Sequence, residues 1–151
     1  AQIFGGASTN MKCWGKGNVG ELGNNAVTDS STPVNSTSYI SRLSMGGTHG
    51  CGFNSSGQIS CWGGGGFGAT GNNASSGSPN PTAILGAASM DAIGVSANNY
   101  SNCAWYKDGS VKCWGKNDMG RLGRGDTTTP IGNSPTAPND MGSIIGVNLA
   151  F

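Results

Sequence analysis

Apolar and polar residues alternate along this chain in short runs with a period of two, the spacing of strands that bury one face. Leu43 lies in such a run over 40–45, Ile93 and Val95 over 90–97, and Ile145 and Val147 over 143–149. Two longer phrases, CGFNSSGQISCWG over 51–63 and CAWYKDGSVKCWG over 103–115, read as hairpins. A three-residue loop with Gly57 or Gly109 in the left-handed position is a type I turn followed by a bulge. It sets Cys51 opposite Cys61 and Cys103 opposite Cys113.

Opposed residues on antiparallel strands have Cβ atoms about 4.5–5.5 Å apart, which modest twisting brings within reach of a disulfide. Two bridges, Cys51 to Cys61 and Cys103 to Cys113, are therefore expected, each contributing about 2.5–3 kcal/mol by chain entropy before any strain is subtracted. The alternative is two pairs of facing buried thiols in a reducing compartment. The phrase IFGGASTNMKCWG over 3–15 keeps the end of the hairpin but not its bridge. Ten residues before Cys13 stands Ile3, Thr9 replaces the turn glycine, and Cys13 is left as an unpaired fifth cysteine, expected as a buried thiol rather than an intermolecular bridge.

Cys-Trp-Gly occurs three times, and a glycine-punctuated loop follows each copy. Gly20, Gly68 and Gly120 align, as do Gly23, Gly71 and Gly123, with Val19, Phe67 or Met119 just before the first of each pair. The run from Gly63 to Gly68 could suggest a phosphate-cradling loop, but no helix follows to supply amides and a dipole. Polar stretches then end at Pro33, Pro81 and Pro130, and proline in a strand marks an exposed edge. A period of about 50 residues with four short strands per unit is that of a propeller blade, which buries its faces only against neighbouring blades. The reading is one all-β domain over 1–151, with units over about 1–39, 40–91 and 92–142, and 143–151 as a strand completing a neighbouring blade.

Composition supports turns over helices, since 28 glycines supply positive φ. Low hydrophobicity, 35%, would suggest disorder only with a high net charge, and the net charge is +1. That near-neutral balance, with pI about 7.8, argues against nucleic acid as a partner. Five of the eight basic residues fall between Lys107 and Arg124, but Asp108 and Asp118 are interleaved, as on a solvated charged face. No run approaches the ~20 apolar residues of a membrane span, so no membrane insertion is expected. A start at Ala1, inside a repeat and without a signal-peptide pattern, is the expectation for a processed product or an excised piece of a longer protein.

The pattern Cys-Ala-x-x-x-Asp-Gly-x-Val-x-Cys-Trp-Gly at 103–115, followed by Asn117, Gly120, Leu122 and Gly123, resembles the repeat of the regulator of chromosome condensation family. The run Gly46, Gly47, Thr48, His49, Gly50, Cys51 is similar to that family's Gly-Gly-x-His-Ser-Cys lead-in. The resemblance spans the chain as three units. It departs from the pattern at Thr70, the counterpart of Leu122, at the missing cysteine of the first unit, and in two extra residues before Cys103. It implies a β-propeller, usually of seven blades, that binds macromolecules through its loops or rim, as in a nuclear exchange factor, a bacterial beta-lactamase inhibitor and cell-surface modules.

Three blades cannot close a ring. The expectation is a homo-oligomer in which the last strand of one copy completes the first blade of another. Two copies give six blades and three give nine, against a usual range of four to eight. A trimer is nevertheless placed ahead of a dimer, because the composition resembles the tips of trimeric fibre adhesins. The alternative is that the remaining blades have been cut away.

Chemistry for catalysis is sparse. A hydrolytic triad needs a proton-shuttling histidine, and the single one, His49, stands where the lead-in has its structural histidine. The cysteines stand ten apart, in pairs better explained by disulfides than by zinc. Seven carboxylates are scattered through turns, so neither a metal nor a cofactor nor an enzymatic activity is expected. Binding should fall to what is not repeated. The segment 97–102 carries Asn98, Asn99 and Tyr100, an aromatic ring among amides that suits a sugar or a protein rim. His49, Tyr106 and Trp105 are secondary candidates, and Trp105 can equally fill the core. The expected function is an extracellular, cell-surface or periplasmic recognition module, an adhesin or fibre tip contacting glycan or envelope components. A secreted protein-binding inhibitor or regulator is the alternative.

Overall fold

The structure, a computed structural model, describes residues 2–3, 11–72, 75–85, 91–123, 125–127 and 142–143, the pairs 2–3 and 142–143 by backbone alone. Among the described residues, eleven strands form three antiparallel sheets, one for each unit of the repeat. The first holds β1 (Gln2–Ile3), β2 (Lys12–Gly15) and β3 (Ser30–Asn35) in that order. The second holds β4 (Arg42–Met45), β5 (His49–Phe53), β6 (Ile59–Gly63) and β7 (Ser78–Ala83). The third holds β8 (Ala92–Ala97), β9 (Ser101–Tyr106), β10 (Val111–Gly115) and β11 (Gly142–Ser143). Short 3-10 turns at Gly66–Gly68 and Asp118–Gly120 interrupt the glycine-rich loops.

The two central hairpins have the expected register. Cys51 faces Cys61 and Cys103 faces Cys113, and both pairs are disulfides with Cα atoms 4.1 and 4.0 Å apart. Gly57 and Gly109 take φ of 77° and 83°. Their N–H groups bond the carbonyls of Asn54 and Tyr106, closing the turn as its type requires. The first hairpin departs by one residue: Cys13 lies opposite Gln2, and Ile3 opposite Lys12. In the sequence Thr9 stands where the others have the turn glycine, so the three-residue loop that fixes the other two registers is not encoded. Cys13 is free and buried, and burial raises its thiol pKa.

Proline behaves as expected, since β3 with Pro33 and β7 with Pro79 and Pro81 are sheet edges. Pro130 lies outside the described residues. The outer strand of the third sheet comes from farther along the chain, where Gly142 pairs with Cys113 and Ser143 with Lys112. Ser143, read above as the start of a strand for a neighbouring blade, thus lies in the third sheet, and 144–151 lie outside the described residues.

Alternation along the strands divides each hairpin between two seams. Cys13 joins Met11 and Leu22 on the face of the first sheet that meets Ile40 and Trp62 of the second. Cys51, Phe53, Ile59 and Cys61 point the other way, against Ala92, Ala104, Tyr106 and Trp114 of the third. Cys13 and Cys61 therefore face the following sheet, and Trp62 and Trp114 face the preceding one.

The tryptophans also make the same hydrogen bond at both seams. Trp62 Nε1 donates to the Glu21 carbonyl at 2.9 Å, and Trp114 Nε1 to the Ala69 carbonyl at 3.1 Å. Glu21 and Ala69 are equivalent positions, each just after the first aligned glycine. Two residues on, Gly23 and Gly71 lie under the incoming indoles, where a Cβ would come within 3.2 Å of the ring. Side-chain-free positions there let each sheet stack closely on the next.

Candidate ligand-contact loop

Two sets of loops leave the same end of the second and third sheets. The connection from β4 to β5 is Gly46–Gly47–Thr48, and the equivalent connection from β8 to β9 is Asn98–Asn99–Tyr100. The latter lies across the former. A Cβ on Gly46 would strike the Asn98 carbonyl, and one on Gly47 the Asn99 side chain, so the glycine pair makes room for the neighbouring loop. Asn98 and Asn99 are exposed, and Asn98 Oδ1 accepts the Asn99 N–H at 2.8 Å.

Tyr100 is half-buried against Phe67, edge to face with ring centroids 5.2 Å apart and planes at 71°. The Lys116 ammonium stands 4.9 Å from the Phe67 ring and 5.9 Å from Tyr100, and pairs with Asp118 at 2.6 Å. Arg121 reaches the same carboxylate at 2.8 Å. This stretch of the basic run is thus partly neutralised from within, as its interleaved aspartates suggested. Beside the loop, a cleft of about 380 Å³ is lined by Ser96, Asn98, Ser101, Asn102, Cys103, Met119 and Arg121.

The other candidates lie elsewhere. Tyr106 is at the opposite end of β9, about 17 Å away at strand spacing. It is 2% exposed, and burial, reinforced by Asp108, pushes its phenol up to about 12. Such a ring is core. Trp105 is half-buried over Gly94 and helps line a smaller cleft of about 200 Å³ with Leu43, Phe53 and Val95.

His49 is fully buried at the seam directly beneath the loop. Asn102 Nδ2 donates to the Ala69 carbonyl at 2.8 Å, which leaves Asn102 Oδ1 to accept from His49 Nε2 at 2.7 Å. The proton therefore sits on Nε2, and Nδ1 is buried with no partner among the described residues. Burial lowers the His49 pKa, the Asn102 bond opposing it. The neutral ring belongs to the folded state, whereas an unfolded chain takes up a proton at about pH 6.5. Stability should accordingly be complete above that pH and fall on acidification toward the lowered folded pKa, with a slope of up to about 1.4 kcal/mol per pH unit. Urea midpoints between pH 7.5 and 5 test this. His49→Gln should flatten the profile in that window, and an unchanged slope in the variant would assign the dependence to other groups.

Sequence reasoning missed Phe67 and Lys116 as neighbours of Tyr100, because each comes from a different loop. Asn102 was seen only as a loop residue. Its signal was available, since it occupies the position of Gly50 in the second unit and so brings an amide to a place where the repeat has no side chain.

Among the described residues, no three His, Cys, Asp or Glu side chains are grouped to hold a metal ion, and no helix is long and apolar enough to cross a membrane. No family model matches the chain, and no curated protein matches it in sequence. Solved structures do. Human WBSCR16 is similar at 18% identity with a TM-score of 0.67, over 84% of this chain and 35% of that one. Prp20p of Saccharomyces cerevisiae is similar at 20% identity with a TM-score of 0.67, over 89% of this chain and 35% of that one. A second structure, yeast RCC1 (Prp20) bound to Kap60, gives 20% identity and a TM-score of 0.65 over 85% and 33%. The chain spans about a third of the length of these structures. At such identities the likeness establishes the fold: three sheets stacked as blades of an RCC1-like β-propeller.

Proposed function

We propose that this chain is a non-enzymatic recognition module of an extracellular or cell-surface protein, and that it meets its target through the loop of Asn98, Asn99 and Tyr100. The observation that carries the reading is the juxtaposition at that loop. Exposed amides stand beside a tyrosine ring held edge-on by Phe67, with the Lys116 ammonium against both rings. A fixed aromatic surface with amide donors and acceptors around it suits a sugar ring, whose apolar face stacks while its hydroxyls are hydrogen-bonded. The two disulfides favour an oxidising compartment. The only histidine is enclosed in the seam, which supports a structural rather than a proton-shuttling role.

A second reading, binding to a protein surface, draws support from the similar structures. Prp20p is described with binding properties to Gsp1p and histones, and yeast RCC1 is bound to Kap60. A glycan array on the purified protein, repeated with Tyr100→Ala, separates the two. The glycan reading expects a defined set of hits that weakens about tenfold or more in the variant, as truncation of an aromatic anchor does. A blank array retires the glycan, and hits unaffected by the variant retire the loop.

A further inference from the structure

We propose that His49 is an acid-operated latch: when its Nδ1 takes up a proton, the Gly46–Gly47–Thr48 connection and the Asn98–Asn99–Tyr100 loop across it lift together, while the hairpins beneath stay folded. The latch lies in the seam between the second and third sheets. His49 opens β5, with Gly63 of β6 beside it and Gly46 over its ring, where a Cβ would come within 3.0 Å of Cε1 and Nδ1. The same Cβ would strike the Asn98 carbonyl, so the ring, Gly46 and the overlying loop meet at one point.

Nε2 is satisfied in either protonation state, because Asn102 Oδ1 accepts from it at 2.7 Å. Nδ1 is not. It is buried with no partner among the described residues, so a proton there makes a donor without an acceptor and a charge without a counter-ion. The strands packed here supply no compensation. β4 brings Arg42 and β9 brings Tyr106, each at the far end from His49, β10 brings Lys112 opposite Ala104, and β6 has no titrating group. The charges beside Tyr100, on Lys116, Asp118 and Arg121, do not reach the ring either: burial and the Asn102 bond set its protonation.

A cover that peels back lets water solvate the charge, and little apolar burial holds this one down. Gly47, Asn98 and Asn99 are exposed, and its aromatic anchor is the contact of Tyr100 with Phe67. Among the described residues it is fastened by the N–H groups of Gly46 to the His49 carbonyl at 2.7 Å, Gly64 to the Thr48 carbonyl at 2.7 Å and Asn98 to the Ser101 carbonyl at 2.8 Å. The Lys116 N–H to the Tyr100 carbonyl at 2.9 Å and the Ala97 N–H to Ser44 Oγ at 3.0 Å complete the set. Both hairpins beneath are cross-linked. Segments so lightly held open at lower free energy than the core, and acid adds weight to the open state alone. The inference rests on the recognition reading only for its consequence, that a target of the closed loop loses its site as the open state gains weight.

Residue-resolved hydrogen exchange on the full chain between pH 7.5 and 5, with and without low urea, tests it. The opening constants at Gly46, Gly64, Ala97, Asn98 and Lys116 should be level above about pH 6.5 and rise by up to about tenfold per pH unit below it. They should also exceed those of the hydrogen-bonded amides around the two bridges and ignore low urea, since a small opening exposes little surface. His49→Gln can still donate to Asn102 but takes no proton, and should leave these amides level throughout. The ring resonances of the single histidine follow the proton in wild type. Level loop amides in wild type, or a urea dependence matching that of the bridge amides, would overturn the proposal. So would a ring that titrates near pH 6.5 under a loop still protected, or a response that survives His49→Gln. Exchange needs no ligand, so a blank glycan array retires the recognition reading and leaves the latch standing.

Discussion

Replacing Trp62 with alanine is expected to lower the unfolding free energy by about 3–5 kcal/mol, the range for deleting a buried large aromatic side chain. The side chain is 0% exposed at the seam between the first two sheets, packed with Ile40, Met11 and Leu22. Its loss also strands the Glu21 carbonyl, which accepts the indole N–H at 2.9 Å. Native domains have roughly 5–15 kcal/mol in total, so a change of this size brings many of them near their limit. Two companion variants separate the contributions. Trp62→Phe keeps most of the apolar volume and removes the donor, so its smaller cost, about 1–3 kcal/mol, reports the orphaned carbonyl together with imperfect filling. Trp14→Ala carries the same chemical change at a half-buried position and should cost the monomer under about 1 kcal/mol. Denaturant midpoints followed by circular dichroism measure all three. Equal losses at Trp62 and Trp14 would mean that position in the stack of sheets does not govern what these indoles contribute.

What the sequence disclosed and what it withheld follow from how local each feature is. The Cys51 and Cys103 hairpins were legible because a glycine at positive φ and a loop of fixed length determine register within a dozen residues. With Thr9 in place of that glycine in the sequence the rule lapses, and the register is shifted by one, to Gln2 opposite Cys13. The outer strand of the third sheet depends on pairing across a long connection, which no turn residue encodes, and among the described residues it is the pair Gly142–Ser143.

At the candidate site, the Asn98–Asn99–Tyr100 loop stood out because it breaks the repeat. Its neighbours did not, because Phe67 and Lys116 reach Tyr100 from other loops and are conspicuous in neither. The seam bonds were further hidden because Trp62 and Trp114 donate to backbone carbonyls, acceptors that every residue possesses. A stack of similar sheets thus writes its strands into the chain locally. It writes the contacts between sheets only as vacancies, such as Gly46, Gly47, Gly23 and Gly71, whose meaning appears once the neighbour is in place.

The second large effect concerns the two bridges, which share one chemistry and one loop length but not one environment. Each closes a ten-residue separation, and chain entropy assigns either bridge about 2.5–3 kcal/mol. The double variant Cys103→Ala with Cys113→Ala should lose that amount and about 1 kcal/mol more for packing at Cys113, which is buried, whereas Cys103 is half-buried. The double variant Cys51→Ala with Cys61→Ala should lose up to about 1 kcal/mol more again, roughly the burial of one methylene-sized group at the position where the other pair has half-buried Cys103. Cys51 and Cys61 are both 0% exposed within the core between the second and third sheets. Cys13→Ala is the control. It removes a buried thiol without a cross-link, so only the packing loss of about 1 kcal/mol remains. Reduction of the wild-type protein should reproduce most of the combined entropic loss as a lowered midpoint, while leaving Cys13→Ala and wild type separated by the same small margin as before. An unchanged midpoint under reduction would mean that the seams hold both hairpins in place without their bridges. An equal loss in the two double variants would mean that burial at the seam adds nothing to the cross-link.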